Sequence, residues 1–194
     1  RARAHAVLAR RGTDWVDRVA GSLHREYAPG RTWDSLCHGL LTFAQFGRCV
    51  DVGAGDGTAL LGPSSGSPLR RAPGGVDHLP GDPTPAMIAA GEQRTAALGH
   101  HHVRWHQARA EQLPFADHSA DSVLFLQSLQ YVDQPLRALA EAARILIPGG
   151  RLLVLTLLKH DHPEAERYGH RHRGFSSAEL TRWCRGLRDL RIET

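Results

Sequence analysis

The chain has 194 residues, 41% of them hydrophobic, which is sufficient for one domain with a buried core. Its net charge of +4 is spread along the chain rather than collected in a block, which gives little support to direct nucleic-acid binding. Its cysteines number 3 and lack C-x-x-C spacing, which argues against a disulfide framework and a zinc ribbon. Since it also has neither a membrane-length apolar run nor a signal peptide, the sequence predicts a soluble cytoplasmic protein.

Helical periodicity marks the amino-terminal part of the chain. Apolar residues recur at helical spacing over residues 1–27, and the periodicity resumes at 32–41 after a turn that contains proline and glycine. We therefore expect a helical cap over residues 1–47, followed by the main domain over residues 48–194.

Strand and helix patterns alternate through the rest of the chain. This alternation predicts an α/β fold with a doubly wound, mostly parallel, Rossmann-like sheet. The strands are expected at 48–53, 76–82, 103–106, 121–126 and 151–156, the helices at 58–61, 85–98, 135–146 and 176–187, and the start of a sixth strand at 190–192. A turn at 148–150 is expected before the fifth strand, and Ser176 or Ser177 is expected to cap the last helix.

The first strand runs directly into the glycine-rich segment Gly53-Ala54-Gly55-Asp56-Gly57. Glycines at such a place let the backbone pass close to a ligand where any Cβ would collide. The pattern lacks the third glycine with which dinucleotide-binding enzymes seat a pyrophosphate, and Asp51 precedes its first glycine. Taken alone, a glycine cluster of this kind is also typical of a plain tight turn.

Several segments, taken in order, resemble the motifs of class I S-adenosylmethionine-dependent methyltransferases. They are Val50 to Gly57, Glu111-Gln112-Leu113-Pro114-Phe115, Asp121, and Arg144 to Leu152. The resemblance covers residues 50–156. It implies that the cofactor is S-adenosylmethionine or S-adenosylhomocysteine. The residues that it places beneath the methionyl part of the cofactor are Asp51, Gly53, Ala54 and Gly55.

The resemblance also implies an acidic residue after the second strand, whose carboxylate accepts hydrogen bonds from the ribose hydroxyls. Two aspartates compete for this role. Asp82 lies in a segment, Gly81 to Ile88, that resembles the family's local pattern, whereas Asp77 better fits the distance from Gly53. The local pattern favours Asp82, and both assignments stay open at this point.

The segment before Glu111 departs from the family. Relatives have Gly-Asp-Ala there, and the aspartate accepts a hydrogen bond from the adenine amino group, whereas this chain has Ala108-Arg109-Ala110. An arginine cannot accept that bond, so either the backbone around Ala110, next to Glu111, holds the adenine or the site is weakened. At the end of the fourth strand, Gln127 and Ser128 are expected either to face the cofactor or to act as simple strand caps.

A histidine-rich segment follows the fifth strand, where substrate loops of this fold occur. His170 and His172 are the candidates for a catalytic base, because methyl transfer to a hydroxyl or an amine needs one. A solvated loop is the competing interpretation. We expect no metal site, since no carboxylate or cysteine completes a ligand set there.

Two short segments resemble a narrower group, the methyltransferase-like domains fused to ArsR-type transcriptional regulators. They are Tyr27 to Trp33 and His170 to Ser176. This resemblance implies that Tyr27, Arg31 and Trp33 close over the methionyl carboxylate, with Arg31 as its charge partner. It also implies that nucleic acid is contacted only through a domain upstream of Arg1. A packing turn is the alternative interpretation of the first segment.

Two functions remain open. The first is an S-adenosylmethionine-dependent methyltransferase with a small-molecule acceptor, which the series of motifs favours. The second is a non-catalytic domain that senses S-adenosylmethionine or S-adenosylhomocysteine for an ArsR-type regulator, which Arg109 and the lack of a catalytic signature favour. In either case we expect the chain to end before the last strands of the family's sheet.

Overall fold

The computed structural model describes residues 47–57, 76–79, 85–163, 168–189 and 191. The predicted helical cap lies outside these ranges apart from its last residue, Gly47. The same is true of the predicted helix at 58–61. Of the predicted sixth strand, only Arg191 is described, and this residue is not in a strand.

Parallel strands form a single sheet at the centre of the described residues. They are β1 (Cys49–Val52), β2 (Val76–Leu79), β3 (Val103–Trp105), β4 (Ala120–Leu126) and β5 (Leu146–Leu155). The sheet has the order β3-β2-β1-β4-β5, and every neighbouring pair is parallel. Such sheets are covered on both faces, which explains why β1 and β4 are almost entirely buried and mostly apolar. The predicted α/β fold is confirmed.

In the part of the chain that the structure describes, three α-helices and one turn of 3-10 helix lie between and after the strands. They are α1 (Pro85–Ala97), the 3-10 helix (Leu129–Tyr131), α2 (Pro135–Ile145) and α3 (Ser177–Trp183). Helix α2 buries Ala138, Leu139 and Ala142 on one face, as its periodicity predicts. The 3-10 helix was not predicted, because three residues are too few to show a periodic pattern.

The start of α3 confirms one predicted cap. The Ser176 side chain accepts a hydrogen bond from the backbone N–H of Glu179, and the Glu179 carboxylate accepts one from the backbone N–H of Ser176. This reciprocal capping box satisfies backbone donors that would otherwise have no partner within the helix. Ser177 is therefore the first helical residue rather than the cap.

The beginning of β5 corrects the sequence prediction. The strand begins at Leu146, not at Arg151, and the predicted turn at 148–150 is an irregularity inside it. Leu146 pairs with Ala120 and Arg151 pairs with Ser122, so extra residues bulge out between the two pairs. Gly149 has a φ of +83° in this bulge, a conformation that favours glycine. The Pro-Gly-Gly composition indicated the bend but not its place within a strand.

The hydrophobic core extends from the sheet to α2 and α3. Phe125 of β4, Leu129 of the 3-10 helix and Ile145 of α2 are fully buried in it. Phe175, just before α3, belongs to the same cluster. The segments that follow β4 and β5 are thereby anchored to one core, and both lie at the carboxyl edge of the sheet.

Candidate functional site

The strand order places the carboxyl ends of β1 and β4 next to each other. Strands β2 and β3 lie on one side of β1, whereas β4 and β5 lie on the other, so the direction of winding changes between β1 and β4. In open α/β sheets, ligands bind outside the carboxyl ends of the strands at such a switch point. The segment that leaves β1 at this point is Gly53 to Gly57, which we call the glycine turn.

The glycine turn has a backbone that only glycine adopts readily. Gly53, Gly55 and Gly57 have φ values of +82°, +58° and +77°. The N–H of Gly57 donates to the carbonyl of Ala54 over 2.9 Å. A Cβ on Gly53 would lie 2.1 Å from the Cβ of Ser128. The turn is therefore held tightly against the end of β4, and it has no side chain at its glycine positions.

Two aspartates of this region are buried. Asp51 in β1 is 1% exposed, and Asp56 in the glycine turn is 0% exposed. The Asp56 carboxylate lies 3.3 Å from Nη2 of Arg94 in α1. A buried carboxylate is costly unless it is paired, so Arg94 stabilises the turn. Sequence reasoning missed this pair because its members are 38 positions apart and only the acidic residue within the glycine cluster gave a signal.

The end of β4 is joined to both neighbouring strands. The buried Ser128 hydroxyl donates to the carbonyl of Val52 over 2.5 Å. The backbone N–H of Gln127 donates to the carbonyl of Leu155 over 2.7 Å. Gln127 has a φ of +54°, which is uncommon outside glycine and shows that the strand end is under local strain. The Ser128 hydroxyl therefore acts as a structural link between β4 and β1.

The Asp77 carboxylate is paired with basic side chains of its neighbours. In the sheet, Asp77 pairs with Val50, two positions before the last residue of β2, Leu79. Its fully buried carboxylate contacts side chains of the residue before β1, of β3 and of the residue after β3. These contacts are Arg48 Nε at 3.2 Å, Arg104 Nε at 2.8 Å and His106 Nε2 at 2.8 Å.

The electrostatics of Asp77 fit a structural ion pair. Burial alone raises the pKa of this carboxyl, but hydrogen bonds from Arg104, His106 and Arg48 outweigh burial and hold the pKa below its usual range. The structure thus gives no support to Asp77 as the ribose acceptor. The competing residue, Asp82, belongs to a part of the chain that the structure does not describe.

The segment predicted to hold the adenine is tied to α2. Ala110 is buried, and the Glu111 carboxylate accepts a hydrogen bond from the backbone N–H of Gln134 over 3.0 Å, at the start of α2. Arg109 extends to Asp133, with Nη2 2.5 Å from the carboxylate, and its Nε is 3.6 Å from Glu111. The Glu111 side chain therefore caps a helix.

A buried glutamine connects the ends of β4 and β5 to the histidine-rich segment. Gln130 is 0% exposed. Its Nε2 donates to the carbonyl of Gln127 over 2.9 Å, and its Oε1 accepts from the Thr156 hydroxyl over 3.2 Å. Its backbone carbonyl accepts the N–H groups of Arg171 and His172. Sequence reasoning missed Gln130, since a glutamine after an apolar strand is equally typical of an exposed loop.

The two candidate histidines have different contacts. Nε2 of His172 lies 2.8 Å from the carbonyl of Val132. Because a carbonyl can only accept, this nitrogen carries a proton and its hydrogen bond stabilises the loop. Nε2 of His170 lies 3.1 Å from the Tyr131 hydroxyl. Burial, and then the nearby His160, lower the pKa of His170 to about 4. The His170 imidazole is therefore neutral at neutral pH.

Neither a metal site nor a membrane span is found in the described part of the chain. No group of three or more His, Cys, Asp or Glu side chains there could hold a metal ion. No helix among the same residues has the length and apolar character to cross a bilayer.

A family model described as a methyltransferase domain matches residues 50–154, from β1 and the glycine turn to β5. The chain belongs to the class I S-adenosylmethionine-dependent methyltransferase family. The residues that match the family model include β1 and β4, the two strands whose carboxyl ends form the switch point.

Curated relatives of this methyltransferase domain are longer than the chain. The chain is 38% identical over 109 residues to the uncharacterized methyltransferase Rv3342 of Mycobacterium tuberculosis, covering 54% of the chain and 37% of that protein. It is 32% identical over 152 residues to the ubiquinone/menaquinone biosynthesis C-methyltransferase UbiE of Dinoroseobacter shibae, covering 78% of the chain and 56% of that protein. The chain thus spans about a third to a half of the length of these relatives.

Solved structures share the fold of this methyltransferase domain. The YcgJ protein of Bacillus subtilis has a TM-score of 0.65 at 21% identity, covering 81% of the chain and 68% of that protein. The geranyl diphosphate C-methyltransferase of Streptomyces coelicolor, solved with S-adenosylhomocysteine, has a TM-score of 0.65 at 21% identity, covering 80% of the chain and 60% of that protein. At these identities the likeness concerns the fold alone.

The glycine turn of this methyltransferase domain fits the family's cofactor. Left-handed glycines leave the backbone open to close approach, and the turn leaves β1 at the switch point where ligands bind in such sheets. The partly buried pair of Asp56 and Arg94 holds that turn on α1. The membership of the family and this geometry together imply S-adenosylmethionine or S-adenosylhomocysteine as the ligand.

Proposed function

We propose that this domain binds S-adenosylmethionine along the glycine turn and transfers its methyl group to a small-molecule acceptor. One observation carries the proposal: left-handed glycines, held against the end of β4, follow β1 at the point where the sheet changes its winding direction. Family membership supports the same reaction. Cys49 and Cys184 are free and buried, which supports activity in a reducing cytoplasm.

The proposal gives each part of the cofactor its own contacts. Backbone at the glycine turn contacts the methionyl part, Asp82 accepts from the ribose hydroxyls, and backbone at Ala110 meets the adenine. Support for Asp82 comes from the engagement of Asp77 by Arg48, Arg104 and His106. The further residues that we propose around the cofactor are Asp51, Gly53, Ala54, Gly55, Glu111 through its backbone, Gln127, Tyr27 and Arg31.

For methyl transfer, the main task of the protein is to place the acceptor correctly. When bound, S-adenosylmethionine supplies an electrophilic methyl group on a sulfonium. The chain's own residues have to hold an acceptor atom in line with that methyl and to exclude water. The 3-10 helix and the histidine-rich segment are suited to this task, because Gln130 binds both to the end of β4.

The experiment compares two glycine variants by calorimetric titration with S-adenosylmethionine and S-adenosylhomocysteine. Gly55→Ala and Gly99→Ala both place a Cβ on a left-handed residue, with φ of +58° and +69°. Each change costs stability by about 1–2 kcal/mol for the backbone alone. Gly99 follows α1, and a Cβ there would have no atom within 4 Å, so it is the matched control.

Only Gly55→Ala is expected to weaken binding. A methyl group in a close backbone contact with the ligand costs about 1–3 kcal/mol, so Kd for both cofactor forms rises about five- to 150-fold, while Gly99→Ala keeps the Kd of the unaltered chain. Equal Kd values for the two variants, or no binding to the unaltered chain, would overturn the proposal. Strong preference for S-adenosylhomocysteine without transfer to any acceptor would favour the sensor function.

A further inference from the structure

Gln127 lies where the end of β4 meets both neighbouring strands at the carboxyl edge of the sheet. Its backbone N–H donates to the carbonyl of Leu155 at the end of β5, and the next residue, Ser128, lies against Gly53 of the glycine turn. Its φ of +54° is uncommon outside glycine, and strained backbone of this kind is concentrated at ligand sites. The Gln127 side chain therefore starts at the switch point, beside the proposed methionyl site.

Gln130 fixes the orientation of the Gln127 side-chain amide. Nε2 of the fully buried Gln130 lies 2.9 Å from the backbone carbonyl of Gln127. Because a carbonyl oxygen can only accept, the part of the Gln130 amide that faces it must be the nitrogen. The same nitrogen lies 3.1 Å from the Gln127 side chain, so the atom that it meets there is the amide oxygen, Oε1, which accepts. The NH2 group of Gln127 is thus turned away from Gln130.

This outward NH2 group is available to a ligand. Among the described residues, none accepts a hydrogen bond from it, and the Gln127 side chain is partly exposed. Gln130 is held in turn by the Thr156 hydroxyl, which donates to its Oε1 over 3.2 Å. The donor is therefore oriented before any ligand arrives. Since the group has two N–H donors, it suits an oxygen that has lone pairs and no proton.

We propose that the Gln127 amide recognises a carboxylate of the bound ligand, and that Gln130 is the positioning residue that directs the amide toward it. An N–H donor attracts an anionic oxygen and disfavours an ammonium group, which can only donate. This inference rests on the proposed function and adds the chemistry of one of its contacts. A carboxylate reaches this edge of the sheet from two sources, the methionyl group of the cofactor and the methyl acceptor, and the experiment distinguishes them.

The experiment first titrates S-adenosylhomocysteine into the unaltered chain and into Gln127→Glu by calorimetry. A glutamate has the same shape and still accepts from Gln130, but it replaces the outward NH2 group with an anionic oxygen. We expect Kd to rise at least about tenfold, because a charge-assisted hydrogen bond is lost and two carboxylates are brought together. Gln93→Glu, at an exposed position of α1, makes the same change of charge and should keep Kd within about twofold.

Two further ligands identify the source of the carboxylate. Methylthioadenosine has the adenosine and the sulfur of the cofactor but lacks its amino-acid part, so Gln127→Glu should leave its Kd unchanged when the methionyl carboxylate is the partner. Salicylate, titrated into the chain saturated with S-adenosylhomocysteine, is the carboxylate probe for the acceptor. Weaker binding of salicylate to Gln127→Glu, with an unchanged Kd for S-adenosylhomocysteine, would assign the contact to the acceptor.

The positioning role is tested with Gln130→Met, which keeps the length of the side chain but removes its donors. We expect the Kd of the carboxylate ligand to rise about three- to tenfold. Added to Gln127→Glu, the same change should cause no further rise, because no donor is left to orient. A residue that only supports the fold would weaken the binding of methylthioadenosine as well, and would do so in both backgrounds.

Thr156→Val gives a milder form of this test, because it removes the hydroxyl that donates to Gln130 without altering a fully buried side chain. Its smaller rise in Kd should be confined to the carboxylate ligand and should disappear in the Gln127→Glu background. A rise of the same size in both backgrounds would overturn the positioning role.

The outcomes separate this inference from the proposed function. An unchanged Kd for S-adenosylhomocysteine in Gln127→Glu, together with no binding of salicylate or no effect on it, would overturn the role of Gln127. Equal losses for S-adenosylhomocysteine and methylthioadenosine would overturn it too. A failure of the unaltered chain to bind S-adenosylhomocysteine would overturn the proposed function itself.

Discussion

Replacing Arg94 with methionine tests whether a buried ion pair holds the glycine turn. The Arg94 guanidinium lies 3.3 Å from the Asp56 carboxylate, and the side chains are 20% and 0% exposed. A hydrogen bond to a charged group contributes about 1.5–3 kcal/mol, and removing one partner weakens the compensation of a buried charge. Because Arg94 is partly solvated, we expect Arg94→Met to lower the free energy of unfolding by about 2 kcal/mol, and Tm by about 4–8 °C for a domain of this size.

The assay combines urea and thermal unfolding with calorimetric titration of S-adenosylhomocysteine. Loosening Asp56 loosens the glycine turn, so the Kd for S-adenosylhomocysteine is expected to rise together with the loss of stability. The matched control is the same Arg94→Met change in an Asp56→Asn background. An asparagine carries no charge that needs a partner, so the arginine change should cost less than about 0.5 kcal/mol there.

Two results would refute this reasoning. A loss below about 0.5 kcal/mol for Arg94→Met in the unaltered background would mean that the Asp56 charge is compensated in another way. Equal losses in the two backgrounds would mean that Arg94 stabilises the domain through packing of its aliphatic part and not through Asp56.

Further predictions concern the response to pH. The folded-state pKa of Asp77 is lowered, so its contribution to stability is complete above the usual aspartate pKa of about 4 and is lost as pH falls through the folded value. The difference in urea midpoint between the unaltered chain and Asp77→Asn should therefore narrow on acidification, and a constant difference would contradict the ion-pair network. The pKa of His170 is lowered to about 4, so the unfolded chain takes up this proton first, and stability falls as pH drops from about 6.5. His170→Gln should lose less stability over that interval, and histidine ring signals in NMR spectra should show a neutral His170 at mildly acidic pH.

Local patterns were sufficient for much of the fold. The apolar run of β1 followed by glycines predicted a strand and a tight turn, and the structure has both, with Gly53 at a φ of +82°. Apolar residues at helical spacing predicted α2, and the two serines before the last helix predicted a cap at Ser176 or Ser177, which the structure places at Ser176. Each of these features depends on residues that are neighbours in the chain, so the sequence shows them directly.

Residue roles that depend on distant partners could not be predicted in this way. Glu111 belongs to a family motif, yet its carboxylate serves the N–H of Gln134, 23 positions later. Asp77 fits the spacing of a ribose ligand, but Arg104, 27 positions later, holds it in an ion pair. In both cases the sequence shows the acidic residue. Its partner, the N–H of Gln134 or the guanidinium of Arg104, comes next to it only through the order of the strands.

The sequence by itself determined the family, the alternation of strands and helices, and the glycine turn, because all of these follow from short runs of residues and their backbone preferences. Only the tertiary structure decided which polar groups meet at the carboxyl edge of the sheet. The parallel order β3-β2-β1-β4-β5 brings the end of β4 against Gly53, and Gln130 brings the segment of His170 to Tyr131. Such contacts arise from packing between segments far apart in the chain, and no local pattern encodes them.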